Sequence, residues 1–248
     1  PTINPATEEP IGQAADGDTE DLDRAIAAAR TAFDRSDWSR DTALRVHCLR
    51  QLRAALNDEI EALREITIAE VGAPRSLTYR GQLQTPVDDL EFPAATAESY
   101  PWQVDLGVAA PMGIATARTL VREPFGVVGA ITPWNFPHQT TFAKIGPALA
   151  AGNTLVLKPA PDTPWCAAEV GRIIAETTDF PRGVVNIVTA SDHRIGAGLA
   201  ADPRVDVVSF TGSTVTGRSV MSAAAQNITK VFLELGGKSA FVVLDDAD

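Results

Sequence analysis

From Phe125 onward, short β-branched runs alternate with helical patterns, and this alternation limits the fold more than any other feature of the chain. Apolar runs stand at Val127–Ile131, Thr154–Leu157, Val184–Val188, Val205–Ser209, Val231–Leu233 and Ala240–Leu244. Helical patterns fill the gaps between the first five, at about Pro137–Ala151, Pro164–Thr177, His193–Ala201 and Val215–Gln226. Runs this short and apolar belong inside a parallel sheet whose crossover helices cover both faces. The expected class is therefore α/β, a parallel sheet over residues 125–248 preceded by a helical and hairpin part over residues 1–124. In such sheets ligands bind at the carboxyl ends of the strands.

Ahead of the alternation, Ile3–Ile11 is polar and broken by proline, and reads as loop or edge strand. Asp18-Thr19-Glu20-Asp21 is a helix start with acids in the first turn, followed by a stripe of Leu22, Ile26 and Phe33. A longer helical region runs from about Asp41 to Val71. Its stripe is Leu44, Cys48, Leu52, Leu56, Ile60, Leu63 and Thr67, with a break at Asn57-Asp58, and Gly72-Ala73-Pro74 stops it. Ser76–Tyr100 reads as helix, with Pro86 and Pro93 starting or kinking it. Pro101–Gly113 reads as loop, and the alternation of Ala115–Glu123 as an exposed antiparallel strand.

Four polar motifs fall at the carboxyl ends of the predicted strands: Thr132–Asn135, Lys158–Pro161, Gly212–Gly217 and Glu234–Gly236. The turn Thr211-Gly212-Ser213-Thr214 opens a helix, whose free N–H groups and dipole suit a phosphate. The same residues suit plain capping of that helix. Its G-x-x-x-x-G spacing is neither the dinucleotide fingerprint nor a P-loop. Glu234, in a run of Val231, Phe232, Leu233 and Leu235, is expected among apolar side chains, where desolvation favours a general base. Its alternative is a strand-end carboxylate in water. Asn135, between Pro133 and Pro137, can cap the next helix or hold an amide toward a developing oxyanion. Lys158 ends a strand, where an ammonium can reach ribose hydroxyls or simply meet water.

In order along the chain, Ile131–Pro137 (ITPWNFP), Leu155–Pro164 (LVLKPAPDTP), Phe210–Arg218 (FTGSTVTGR) and Leu233–Val243 (LELGGKSAFVV) resemble motifs of the aldehyde dehydrogenase superfamily, and the resemblance runs from Asn4-Pro5-Ala6-Thr7 to the end. It implies a Rossmann-like dinucleotide-binding domain with NAD as cofactor and NADP as a second possibility. The implied cofactor residues are Ile131, Thr132, Trp134, Asn135, Lys158, Ala160, Pro161, Gly196, Phe210, Thr211, Gly212, Ser213, Gly217, Glu234, Leu235 and Gly236. In the resemblance Glu234 is the base that activates the deacylating water, Asn135 supplies an oxyanion amide, and Lys144 stands near the nicotinamide end. Lys144 also reads as a solvated or structural lysine. Phe136, Thr140 and Ala143 would border an aldehyde tunnel. The substrate would be a small-molecule aldehyde, bulky or aromatic ones included since Thr140 and Ala143 are small, and the hairpin near Ala115–Glu123 would join subunits into a homodimer or homotetramer.

Two departures accompany the resemblance. Pro161 stands where the family usually has a Glu or polar residue that bonds the adenosine ribose, and Asp192 where members often have Gly. The family's nucleophile is a cysteine in its own motif downstream of E-L-G-G-K, expected beyond Asp248 together with a catalytic domain. Cys48, on an apolar stripe, and Cys166 do not match that motif. Besides NAD(P)-dependent aldehyde oxidation, two alternatives remain: a nucleotide-binding module without chemistry, and a relative that acylates coenzyme A or reduces an acyl phosphate. Glu234 counts against the last, which needs no hydrolytic base.

A net charge of −11 argues against nucleic acid or anionic membrane as partner. No apolar run is long enough for a membrane span. With only two cysteines, a disulfide framework is not expected and a reducing cytoplasm is the simplest compartment. His47, His138 and His193 lack ligand spacing, so no metal is expected.

Overall fold

The structure, a computed structural model, describes residues 1–247. Strands β1 (Thr2–Ile3) and β2 (Pro10–Gly12) form a small antiparallel pair. Helix α1 (Thr19–Arg35) starts at a capping box: the Asp18 carboxylate accepts from the backbone N–H of Glu20 and Asp21, and the Asp21 side chain accepts from that of Asp18. Leu22, Ile26, Ala29 and Ala32 form its buried stripe. Helices α2 (Thr42–Asp58) and α3 (Ile60–Val71) follow, broken at Glu59. Helix α3 ends on Gly72 at φ 71°, a left-handed position that glycine adopts without a Cβ penalty.

The expected single helical region over 76–100 is three short helices, α4 (Arg75–Thr78), α5 (Gln84–Asp88) and α6 (Glu91–Ser99). Pro86 and Pro93 each lie in a first turn, where the missing N–H costs nothing, so the prolines start new helices. The expected loop over 101–113 contains a strand, β3 (Gln103–Ala109), paired antiparallel with β4 (Thr116–Val121). Val104, Leu106 and Val108 do alternate along it, but Asp105 and Gly107 between them are turn-type residues and five of its seven positions are exposed, so the stretch reads as loop.

The remaining elements are β5 (Val127–Ile131), α7 (Pro137–Ala150), β6 (Thr154–Lys158), α8 (Pro164–Thr177), β7 (Val185–Ile187), α9 (His193–Ala201), β8 (Val207–Gly212), α10 (Thr214–Ala225) and β9 (Lys230–Leu235). The five strands are parallel, in the order β7-β6-β5-β8-β9. The expected strand at Ala240–Leu244 is absent. A strand needs a neighbour for its N–H and C=O groups, no described residue pairs with this run, and Phe241 remains 92% exposed.

Strand parity sorts the core into two layers. Val128, Ala130, Leu155, Leu157 and Val207 face α2, α7 and α8. Val127, Val156, Val208 and Phe210 face α1, α9 and α10. Each fully buried aliphatic side chain contributes roughly 1.5–3 kcal/mol. Helix α1, distant in sequence, locks into the second layer and onto the sheet: Thr154 Oγ1 donates to the Ala29 carbonyl at 3.0 Å. The indole of Trp38 donates to the Asn153 carbonyl at 2.8 Å.

Candidate functional site

The strand order reverses between β5 and β8, since β6 and β7 lie to one side of β5 and β8 and β9 to the other. Chains leaving β5 and β8 turn to opposite faces and leave a crevice at the carboxyl edge. A cavity of about 490 Å³ occupies it, floored by Ile131–Trp134 after β5, Lys158–Asp162 after β6 and Phe210–Ser213 after β8. Ile131, Lys158 and Phe210 are register partners and share the α9/α10 face. Of the expected cofactor residues, Ile131, Thr132, Trp134, Lys158, Ala160, Pro161, Gly196, Phe210, Thr211, Gly212 and Ser213 all line this cavity.

Lys158 is 3% exposed. Burial lowers its pKa from the ordinary lysine value, while the charges of Asp162, Asp16 and Asp192 act in the opposite direction. Ser213 caps α10: its Oγ accepts from the Thr216 N–H at 3.1 Å. Asp192 likewise caps α9, accepting from the Arg194 N–H at 2.8 Å.

Sequence reasoning left out Thr216, Ser219, Val220 and Ala223 of α10, and His193 and Ala197 of α9, all of which line the cavity. Their signal was available. Positions 216, 219, 220 and 223 follow the i, i+3, i+4, i+7 rule for one helix face, directly after the Gly-Ser turn.

Gly217, Leu235, Gly236, Asn135, Lys144 and Glu234 lie outside the cavity lining. A Cβ on Gly217 would come within 2.5 Å of Leu235, so this glycine lets α10 close onto β9. Ser209 and Glu234 occupy the opposite face of the sheet, toward α7: Thr211 pairs with Glu234, and Ser209, two residues earlier, has the same parity as Val207. Lys144 reaches this face from α7 and donates to Ser209 Oγ at 2.9 Å. Burial pushes its pKa down to about 8, with the Glu234 carboxylate acting against that shift. Glu234 itself is exposed, contrary to the apolar surroundings expected for it. The reason is β9's place at the sheet edge, where Phe232 on the same face is also 52% exposed.

Asn135 is exposed, and its carbonyl accepts from Gln82 Nε2 at 2.9 Å. Helix α7 begins after Phe136 with no side-chain cap, so Asn135 does not act as its cap. His138, in the first turn of α7, is fully buried against Thr67 Oγ1 at 3.1 Å, and burial lowers its pKa to about 4. Both cysteines are buried and free. Burial pushes the Cys48 thiol up to about 12 and raises that of Cys166 well above the ordinary range, so neither offers a thiolate near neutrality. Among the described residues, no three His, Cys, Asp or Glu side chains are grouped to hold a metal ion, and no helix is long and apolar enough to cross a membrane.

A sequence profile described as the aldehyde dehydrogenase family matches residues 1–248. The chain is 43% identical to 3-succinoylsemialdehyde-pyridine dehydrogenase of a Pseudomonas species, over 99% of its own length and 50% of the relative's. It is 40% identical to the mitochondrial aldehyde dehydrogenase of Homo sapiens, over 100% of its length and 47% of the relative's. A solved structure of betaine aldehyde dehydrogenase from Staphylococcus aureus in complex with NAD+ superposes with a TM-score of 0.87 at 34% identity, covering 95% of this chain and 46% of that one. The chain belongs to the aldehyde dehydrogenase family. It spans about half the length of these relatives.

Proposed function

We propose that this chain supplies the cofactor site and part of the catalytic apparatus for NAD(P)-dependent oxidation of an aldehyde to a carboxylic acid. The observation that carries the reading is the cavity at the switch point, with the Lys158 ammonium on one face of the sheet edge and Lys144 and Glu234 on the other. Lys158 would hold the adenosine ribose of a dinucleotide, and Gly212, Ser213 and the start of α10 would hold its pyrophosphate. Ile131, Thr132, Trp134, Ala160, Pro161, Gly196, Phe210 and Thr211 wall it, and Leu235 and Gly236 lie past the edge near its far end. The cavity fits this use, since its walls are mostly small residues and its floor sets the buried Lys158 ammonium near the Asp162 carboxylate. When bound, a nicotinamide cofactor would supply the hydride acceptor.

On the α7 face, the Asn135 amide is exposed and free of a capping role, as a donor to a developing oxyanion must be. Glu234 takes the proton of the water whose oxygen enters the acid. Its exposure at the edge of β9 gives that water access. We assign residues 1–124 to a helical and hairpin part and 125–248 to the βαβ core, with hairpin β3–β4 as the contact of a homodimer or homotetramer. Its exposed Leu106, Val108 and Leu120 support that assignment. Two free cysteines suit a reducing compartment, for which we propose the cytoplasm.

Calorimetric titration of the chain with NAD tests the cofactor half. Binding that disappears in Lys158→Met supports the reading, and no measurable heat with either NAD or NADP overturns it.

A further inference from the structure

Lys144 and Ser209 are far apart in sequence and meet across the interface of α7 with the sheet. Lys144 is 8% exposed, and an ammonium taken out of water needs an acceptor. Ser209 stands in a row whose register partners are Ala130 and Phe232, neither of which can bond its hydroxyl through a side chain. Each group therefore meets the other's need: Lys144 Nζ donates to Ser209 Oγ at 2.9 Å. One row nearer the carboxyl edge, on the same face, is Glu234, the partner of Thr211.

A hydroxyl is both acceptor and donor. While Lys144 is an ammonium, Ser209 Oγ accepts from it. When the amine is neutral, the Ser209 O–H can donate to its lone pair. The contact thus survives a change of protonation without movement of either side chain, the hydroxyl accepting from the ammonium and either accepting from or donating to the neutral amine. Glu234 on β9 is the charged group acting on this amine. On α7 itself the nearest buried titratable group is His138, which is bonded to Thr67 and neutral at physiological pH.

We infer that Ser209 is a positioning residue for Lys144, its hydroxyl holding the side-chain nitrogen beside Glu234 in both protonation states of the amine. This rests on the proposed function for its purpose. Its geometry can be tested separately.

The chain has only four lysines, at 144, 158, 230 and 238. Lysine labelled with ¹³C at Cε therefore gives a spectrum that Lys144→Arg is enough to assign. Wild type is expected to show one lysine titrating near pH 8. In Ser209→Ala its midpoint falls by about one unit, because the charged form loses its charge-assisted bond. Ser209→Thr keeps the hydroxyl and restores the midpoint, and Glu234→Gln lowers it independently of Ser209. A midpoint unmoved in Ser209→Ala, or a Thr variant that shifts as far as Ala, overturns the inference. If Ser209→Ala does not fold, the Thr variant and a Ser209→Val partner of equal shape carry the same comparison. NAD calorimetry on the same samples keeps the two readings apart: absent binding with an intact Ser209 effect rejects the cofactor reading alone.

Discussion

The two faces of the sheet's carboxyl edge differ in how far each is closed. On the α9/α10 face the cavity walls come from three strand ends and two helices, mostly through Gly, Ala, Pro, Ser and Thr, around a Lys158 that is almost fully buried. On the α7 face the polar residues stand open: Asn135 and Glu234 are exposed, and Phe232 beside them is half in water. Lys144 there is buried, and burial disfavours its charge while the Glu234 carboxylate favours it. On the proposed function, one face holds a ligand by shape and the other presents groups to one. Substitutions on the first should therefore change affinity, and on the second rate, when measured in a polypeptide that also carries the other half of the relatives' length.

Glu234→Gln is the strongest test of that division. It keeps the shape and removes the base, so steady-state turnover should fall by about 10²-fold or more. A pre-steady-state burst of NADH should survive, and the dissociation constant for NAD should stay within about twofold. Unchanged steady-state turnover would falsify the assignment. A large loss of NAD affinity instead would show that the two faces are not separate.

Next in size is Asn135→Ala. Loss of an oxyanion donor costs roughly 3 kcal/mol in the chemical barrier. Since Asn135 does not cap α7, the melting temperature should hardly move. A variant with normal turnover and lower melting temperature would return this residue to a structural role.

The same contrast explains what the sequence could and could not disclose. The helices between strands were legible nearly to the residue, because periodicity and the prolines at 137 and 164 mark their starts. Strand β3 carries the alternation of Val104, Leu106 and Val108, but Asp105 and Gly107 within it and the flanking prolines give it the look of a loop, and its pairing with β4 makes it a strand. Ala240–Leu244 misled in the opposite direction, apolar without a neighbour. The cavity residues at strand ends were legible as motifs. Those of α10 sat in the periodicity and went unread, and the Lys144–Ser209 contact depends on strand order, which periodicity does not encode. The exposure of Glu234 has the same origin: local sequence shows an apolar strand but not that the strand is at the edge.

His138 gives a third test, of the helix that carries the α7 face. Its folded-state pKa, about 4, lies below the ordinary value of 6.5, so the unfolded chain binds the extra proton first. Its contribution is intact above pH 6.5 and lost as the pH falls toward 4, by up to about 3 kcal/mol. Urea unfolding at pH 7 and 4.5 should show this loss in wild type and a smaller one in His138→Gln. Equal losses in both would place the acid sensitivity elsewhere. Loss of activity below pH 5 would then need to be separated from unfolding before it is read as chemistry on the α7 face.

The smallest effect expected belongs to the cavity face and concerns which dinucleotide it takes. Pro161 lines the cavity beside Lys158 and offers no carboxylate to bond a ribose 2′-hydroxyl or repel a 2′-phosphate. That alone would weaken discrimination, and an unopposed Lys158 would favour the phosphate. The ammonium is not unopposed, because Asp162, Asp16 and Asp192 all act on it. Asp16 is bonded to Ser191 and Asp192 to Arg194, which leaves Asp162 to repel an added phosphate most directly. NAD should be preferred with measurable use of NADP. Pro161→Glu then adds one charge to a site that already carries several, at an exposed mouth where a pair of like charges costs on the order of 1 kcal/mol. NADP affinity should fall by about fivefold, with NAD affinity nearly unchanged. Asp162→Asn should move the ratio the other way by a similar factor. If wild type already rejects NADP as completely as Pro161→Glu does, position 161 takes no part in selection. If Asp162→Asn leaves the ratio where it was, the carboxylates around Lys158 take none either, and shape alone decides the cofactor.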